Sequence, residues 1–261
     1  MPERPLHGAG VLVTRPEHQA DELNDAISAA GGIPIAFPVL TIEALSRHEF
    51  QPQLAALDKA DIAIFVSANA VTHGLQLLGN RDTRVAAVGP ATARALRAAG
   101  RNVDIVPQQG FDSEHLLEEP ALRDVAGKHI CIIRGEDGRE LLAETLRERG
   151  AQVTYVPVYR RRGIEHTAAR LTEIENDWRS GRINMVVAMS VATLDSLLSV
   201  LPAYCRQSLQ DVAIITPSRR VQQHCAELGI GNPAIVSDGP QASAIIKALI
   251  ACKPPEAATK P

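Results

Sequence analysis

No window of the 261-residue chain approaches eighteen uninterrupted apolar residues, so no membrane-spanning helix is expected and no membrane partner. The opening MPERPLHGAG has no apolar core of the kind an export signal carries, which makes the cytoplasm the expected compartment. The four cysteines, Cys131, Cys205, Cys225 and Cys252, stand far apart without CxxC spacing, and Cys131 lies in an apolar run, so they are expected to be reduced thiols. Eight histidines form no HxH, HxxxH or HExxH pair, and no metal is expected. No GxGxxG follows a strand pattern, no Walker lysine is present, and the glycines of RGEDGRE have the wrong spacing, which argues against a flavin or nucleotide cofactor. A net charge of −3 gives no global attraction to nucleic acid. What remains is a soluble globular protein, 45% hydrophobic and long enough for one large or two medium domains.

Along the chain, apolar strand-like runs alternate with helical patterns. GVLVTR is followed by a helix whose apolar face is Leu23, Ala26, Ile27 and Ala30, closed by Gly31 and Gly32. Strand IPIAF, an irregular polar span with Leu54 and Leu57, strand IAIFV, a helix opened by SANAV, strand RVAAV, helix ATARALRAAG, strand VDIV and helix SEHLL come next. The later part repeats the programme, with HICII, VTYVPV, INMVVAMS, VAIITP and AIVS as its strands. Repeated β-α units predict an α/β fold with parallel sheets covered by helices.

The repetition is an internal duplication. Arg15 and Arg134 are 119 positions apart, as are Gly31 and Gly150, and Pro38 and Pro157. VLVTRPEHQADELNDAISAAGGIPIAFPVL aligns without a gap with ICIIRGEDGRELLAETLRERGAQVTYVPVY, and Ser67 maps to Ser190 at an offset of 123. At the end of the second copy stands Tyr159, where the first has Leu40, and this asymmetry is where chemistry is expected. The duplication fits two lobes contiguous in sequence or an exchanged pair, and periodicity does not choose between them. Pro38 and Pro157 each lack a backbone donor, so their segments are expected to be connectors or edge strands. The tail 253–261, KPPEAATKP, is expected to be disordered.

The pieces VLVTRPE, GGIPIAFPVLTI, DIAIFVSANAV, VAAVGPATARALRAAG, IIRGEDGRELLAETLRERGAQVTYVPVYRR and VAIITPSRRVQQHCAELG, in this order and spacing, resemble the uroporphyrinogen-III synthase family. The resemblance implies two flavodoxin-like lobes: residues 1–37 plus 163–252 in one, 41–158 in the other, with 38–40 and 159–162 as a two-stranded connector and the active cleft between the lobes. It also implies a monomer without cofactor that cyclises hydroxymethylbilane to uroporphyrinogen III with loss of water and inversion of ring D through a spiro intermediate, and a transient contact with hydroxymethylbilane synthase. Such a reaction draws chiefly on orientation and on dipoles placed near developing charge.

On that resemblance Tyr159 is the catalytic residue, a proton donor to the departing hydroxyl. Ser67, Thr92 and Ser190 follow strands at helix starts, where hydroxyls cap helices and exposed N–H groups receive anions; the substrate carries carboxylates on every ring. Arg15 and Arg134, equivalent in the two copies, and Arg139 are expected to bind those carboxylates, with Asn69, Ser218 and Arg219 completing the set. ITPSRRV departs from the family pattern of a glycine and paired hydroxyls: Ser218 keeps one hydroxyl and Arg219 replaces the next. A non-catalytic two-lobed binding module of the same fold is the competing expectation.

Overall fold

The structure is a computed structural model and describes residues 4–79, 82–110, 112–230 and 232–252; the tail expected to be disordered lies outside the described residues. In chain order the strands and helices are β1 (Gly10–Val13), α1 (Asp21–Ala29), β2 (Ile33–Ala36), β3 (Leu40–Ala44), α2 (Gln51–Leu57), β4 (Ile62–Phe65), α3 (Ala68–Gly74), β5 (Arg84–Ala87), α4 (Pro90–Ala98), α5 (Ser113–Glu118), β6 (His129–Gly135), α6 (Leu141–Glu148), β7 (Gln152–Gly163), α7 (Ala168–Arg179), β8 (Met185–Val187), α8 (Val191–Val200), α9 (Ala203–Gln207), β9 (Ala213–Thr216), α10 (Arg219–Glu227), β10 (Ile235–Val236) and α11 (Ala242–Ala251). They fall into two compact units, one made of residues 1–41 and 162–261, the other of residues 42–161.

The first unit holds a sheet in the order β10-β9-β8-β1-β2, and each pairing in it with a defined register is parallel. Counted within the unit this is the flavodoxin-like order 2-1-3-4-5, read from the other edge. Strand β1 lies inside the sheet and is buried along its whole length, as a parallel strand covered on both faces must be. Its residues alternate between two cores: Leu12 packs with Trp178, Leu194 and Val221, while Val11 and Val13 pack with Leu23, Ile27, Ile245 and Leu249. The helices on the two faces are therefore α7, α8 and α10 on one side and α1 and α11 on the other.

The second unit holds the order β3-β7-β6-β4-β5. Phe65, Ile133 and Val156 face α3 and α4 through Val71 and Leu96, and Ile64, Ile132 and Tyr155 face α5 and α6 through Leu116 and Leu146. The duplication is visible in single bonds. Gly31 and Gly150 take φ of +81° and +83°, closing α1 and α6 in a conformation that favours glycine. Gly10 N–H donates to Asn184 Oδ1 at 2.8 Å and His129 N–H to Asp61 Oδ2 at 2.7 Å, so the first N–H of each equivalent strand is held by an equivalent side chain. Leu45 N–H donates to Val158 O at 3.0 Å, and Ile164 N–H to Val39 O at 3.1 Å, the same bond with the copies exchanged.

Several expectations need correction. Residues 103–106 form no strand, only an isolated bridge between Ala86 and Ile105. The Asp104 carboxylate accepts the Val85 N–H at 2.7 Å and removes a donor from the ladder, and Pro107 cannot extend it. The polar span after residue 40 contains β3 and α2, and the strand expected from INMVVAMS is reduced to β8. Strand β7 is not an edge strand, since it lies between β3 and β6. Its Pro157 is accommodated where the register against β6 shifts: Arg134 pairs with Pro157, but Gly135 pairs with Tyr159, leaving Val158 as the extra residue of a bulge.

Candidate active site

That bulge decides where Tyr159 points. Along β7, Val153 and Tyr155 face one core of the unit, and Val156 and Val158 face the other. Strict alternation would return Tyr159 to the side of Tyr155, whereas the extra residue turns it onto the face of Val156 and Val158. There its side chain is only 1% exposed. Its carbonyl accepts the Glu136 N–H at 2.9 Å, and the next residue, Arg160, is ion-paired with Glu49 and, at 3.3 Å, with Glu136, so the backbone around Tyr159 is tied on both sides.

The phenol oxygen lies 3.1 Å from Ser67 Oγ and 3.5 Å from Arg161 Nη2, and the Arg161 guanidinium stands 5.8 Å from the ring centroid. Ser67 is the N-cap of α3, its Oγ accepting the Ala70 N–H at 3.1 Å. The His73 ring, on the same helix, is tilted against Tyr159 with centroids 6.1 Å apart. Gly135 forms the other wall. A Cβ there would stand 2.9 Å from Cε2, 3.0 Å from Cζ and 3.3 Å from Oη of Tyr159. Glycine is thus the residue that lets strand β6 pass under the phenol.

The neighbouring arginines are committed differently. Arg134 is 5% exposed; its guanidinium donates to Gly135 O at 3.2 Å, to Arg139 O at 3.4 Å and to Glu140 Oε1 at 3.2 Å, and it stacks 4.4 Å over the ring of Tyr155. The Tyr155 hydroxyl donates to Glu140 Oε2 at 2.6 Å, and burial with that carboxylate pushes the Tyr155 phenol up to about 12. Glu140 is held below the usual carboxylate range by the Tyr155 hydrogen bond first and by Arg134 next. Arg139 pairs through both terminal nitrogens with Glu114, one of the two bonds measuring 2.8 Å. Asn69 lies in the first turn of α3, and Thr92 is buried in the first turn of α4.

In the first unit, Arg15 donates to the carbonyls of Pro240, at 2.6 Å, and Gln19, at 3.4 Å. Burial pushes its pKa below the ordinary arginine value, opposed by Glu22. Ser190 caps α8 through the Thr193 N–H at 3.2 Å and lies 2.9 Å from the Thr193 hydroxyl. Ser218 occupies the N-cap position of α10 without a side-chain cap bond, and Arg219 follows it, exposed. Leu40, the counterpart of Tyr159, is buried in an apolar core. Ser67 and Tyr159 are thus brought together, with Gly135, Arg161 and His73, three residues that the sequence patterns did not single out. Gly135 was detectable: it stands opposite Pro16 in the duplication, a second departure between copies beside the Tyr159 and Leu40 difference.

The family described as Uroporphyrinogen-III synthase HemD matches residues 21–247. Uroporphyrinogen-III synthase of Escherichia coli (strain K12) is 32% identical over 247 residues, covering 92% of this chain and 99% of the relative. That of Synechococcus elongatus is 28% identical over 263 residues, covering 96% and 90%. Among solved structures, a mutant uroporphyrinogen III synthase from the extremely thermophilic bacterium Thermus thermophilus shares the fold with a TM-score of 0.65 at 19% identity, covering 94% of this chain and all of that one. The enzyme from Helicobacter pylori 26695 does so with a TM-score of 0.61 at 13% identity, covering 94% of this chain and all of that one.

Proposed function

The chain belongs to the uroporphyrinogen-III synthase family, and from that premise we propose that Tyr159 is the proton donor of a catalyst that works otherwise by geometry. The protein is an enzyme of tetrapyrrole biosynthesis that cyclises hydroxymethylbilane to uroporphyrinogen III. As the C–O bond of the hydroxymethyl group breaks, the electron pair leaves with oxygen, which takes the phenol proton and departs as water. The pyrrole nitrogen gives up its proton as the azafulvene forms, and the phenolate regains one. The substituted carbon of ring D then attacks the azafulvene carbon, the spiro centre fragments, and the inverted ring closes. The overall balance is one water lost.

The observation that carries the assignment is the environment of the hydroxyl, a buried phenol with Ser67 and Arg161 on its oxygen. Arg161 is exposed and long, so it is the partner able to swing aside and admit the substrate oxygen. Arg15, partly buried and bonded to carbonyls, is the proposed carboxylate contact. Among the described residues no helix is long and apolar enough to cross a membrane; the reading takes a cytoplasmic monomer that receives its substrate from hydroxymethylbilane synthase by transient contact. Freshly generated hydroxymethylbilane, incubated with the protein and oxidised, should give the type III isomer in place of the spontaneous type I. Tyr159→Phe should lower kcat by roughly 10²–10⁴-fold. A phenylalanine variant at wild-type rate removes the acid role.

A further inference from the structure

We infer that Ser67 is a positioning residue, one that turns the hydroxyl proton of Tyr159 outward by donating its own proton to the phenol oxygen; this rests on the acid role proposed above. The Ser67 oxygen already accepts the Ala70 N–H at 3.1 Å, and the nearest place for its proton is Tyr159 Oη, also 3.1 Å away. Arg161 Nη2, at 3.5 Å, can only donate. With Ser67 donating from the cap side, the O–H of the phenol is left as the group that can reach a leaving hydroxyl in the place Arg161 vacates. The opposite polarity would point the Tyr159 proton back at the helix cap.

The duplication supplies an independent observation. Ser190, the equivalent cap, shares a 2.9 Å hydrogen bond with the Thr193 hydroxyl, in which either oxygen can be the donor, in the unit that has Leu40 where a phenol would be. The position equivalent to Thr193 is Ala70, which offers no hydroxyl. Capping alone does not account for the difference, since both serines cap. Where the tyrosine is present, the competing partner of the serine is missing.

Ser67→Asp separates the two roles. Aspartate caps a helix as well as serine does, but as a carboxylate it cannot donate and would draw the phenol proton inward. Ser67→Thr keeps both cap and donor. The expected result is a threonine variant close to wild type and an aspartate variant with kcat lower by roughly ten- to a hundredfold, KM and Tm little changed, and no further loss when the aspartate is placed in Tyr159→Phe. Ser67→Ala, which lacks both cap and donor, should be as slow as the aspartate and serves if that variant does not fold. Wild-type kcat in Ser67→Asp or Ser67→Ala beside a slow Tyr159→Phe overturns the positioning role alone. So does an equal loss from the aspartate in the Tyr159→Phe background. Wild-type kcat in Tyr159→Phe overturns the acid role as well, a failure told apart by that single variant.

Discussion

Gly135→Ala tests the site without removing a polar group. Gly135 has no positive φ, so alanine fits the backbone, and the whole effect comes from one methyl group against the Tyr159 ring. Its Cβ would stand 2.9 Å from Cε2 and 3.0 Å from Cζ, whereas carbon atoms rest at about 3.5–4.0 Å. The ring must therefore retreat by roughly 0.5–1 Å. A shift of that size brings the 3.1 Å bond to Ser67 to or beyond the limit of a hydrogen bond. Overpacking of this kind costs about 1–3 kcal/mol, which in a chain of this size lowers Tm by roughly 2–10 °C. Displacing a reacting group by about 1 Å can cost 10²-fold in rate, so kcat for the type III product should fall by about ten- to a hundredfold while KM holds. The control is Gly163→Ala on the same strand as Tyr159, where a Cβ meets nothing within 4 Å. Thermal melts and initial rates of isomer formation decide the matter. A Gly135→Ala enzyme that melts early but turns over at the wild-type rate would refute the claim that the position of the phenol matters.

Two further outcomes follow from the charges. Arg15→Gln should raise KM by about tenfold or more, the order expected for a charged hydrogen bond; salt should raise KM by screening the carboxylate contacts, and less so in this variant; Arg139→Gln, whose guanidinium already pairs with Glu114, should change KM little. Two histidines should respond oppositely to acid. Burial lowers the pKa of His166, stacked on Phe37 with its Nε2 3.0 Å from Pro38 O, so its stability contribution is present above the unfolded value near 6.5 and is lost as pH falls through the folded one. The Asp195 hydrogen bond raises His224, whose contribution is present below the unfolded value and lost as pH rises through the folded one. Between pH 7 and 5, His166→Gln should lose less stability than wild type and His224→Gln more, and parallel melting curves would refute both assignments.

The duplication was legible because its markers are local: Gly31 and Gly150 end helices, and Ser67 and Ser190 begin them, whatever surrounds them. The side on which Tyr159 lies was not legible. It depends on one bulged residue, and the alternation of VTYVPVY taken at face value puts the phenol with Tyr155. Arg134 and Arg15 read as equivalents, yet of the two Arg134 alone is bonded to a carboxylate, Glu140 six residues on, and has a tyrosine ring, Tyr155 from strand β7, closing over it. Helix α7 escaped notice because its inward face is sparse, with Ile174, Asp177 and Trp178 its buried residues. Strand 103–106 failed for the opposite reason: an apolar run was read as strand although Asp104 uses its carboxylate on the neighbouring strand.

The first unit is assembled from both ends of the chain, which has a consequence on the ribosome. Thr14 Oγ1 donates to Val187 O at 2.6 Å, and the two residues are 173 positions apart. At about 5–20 residues per second, β1 emerges roughly 10–35 s before β8, its neighbour on the side away from β2, exists. During that interval the continuous stretch 42–161 can complete its own sheet, while GVLV, with β2 on one side, waits with its β8 edge unpaired. Nascent chains of this protein should therefore need shielding along the open edge of β1, and slowing synthesis would lengthen the exposure of that edge rather than shorten it.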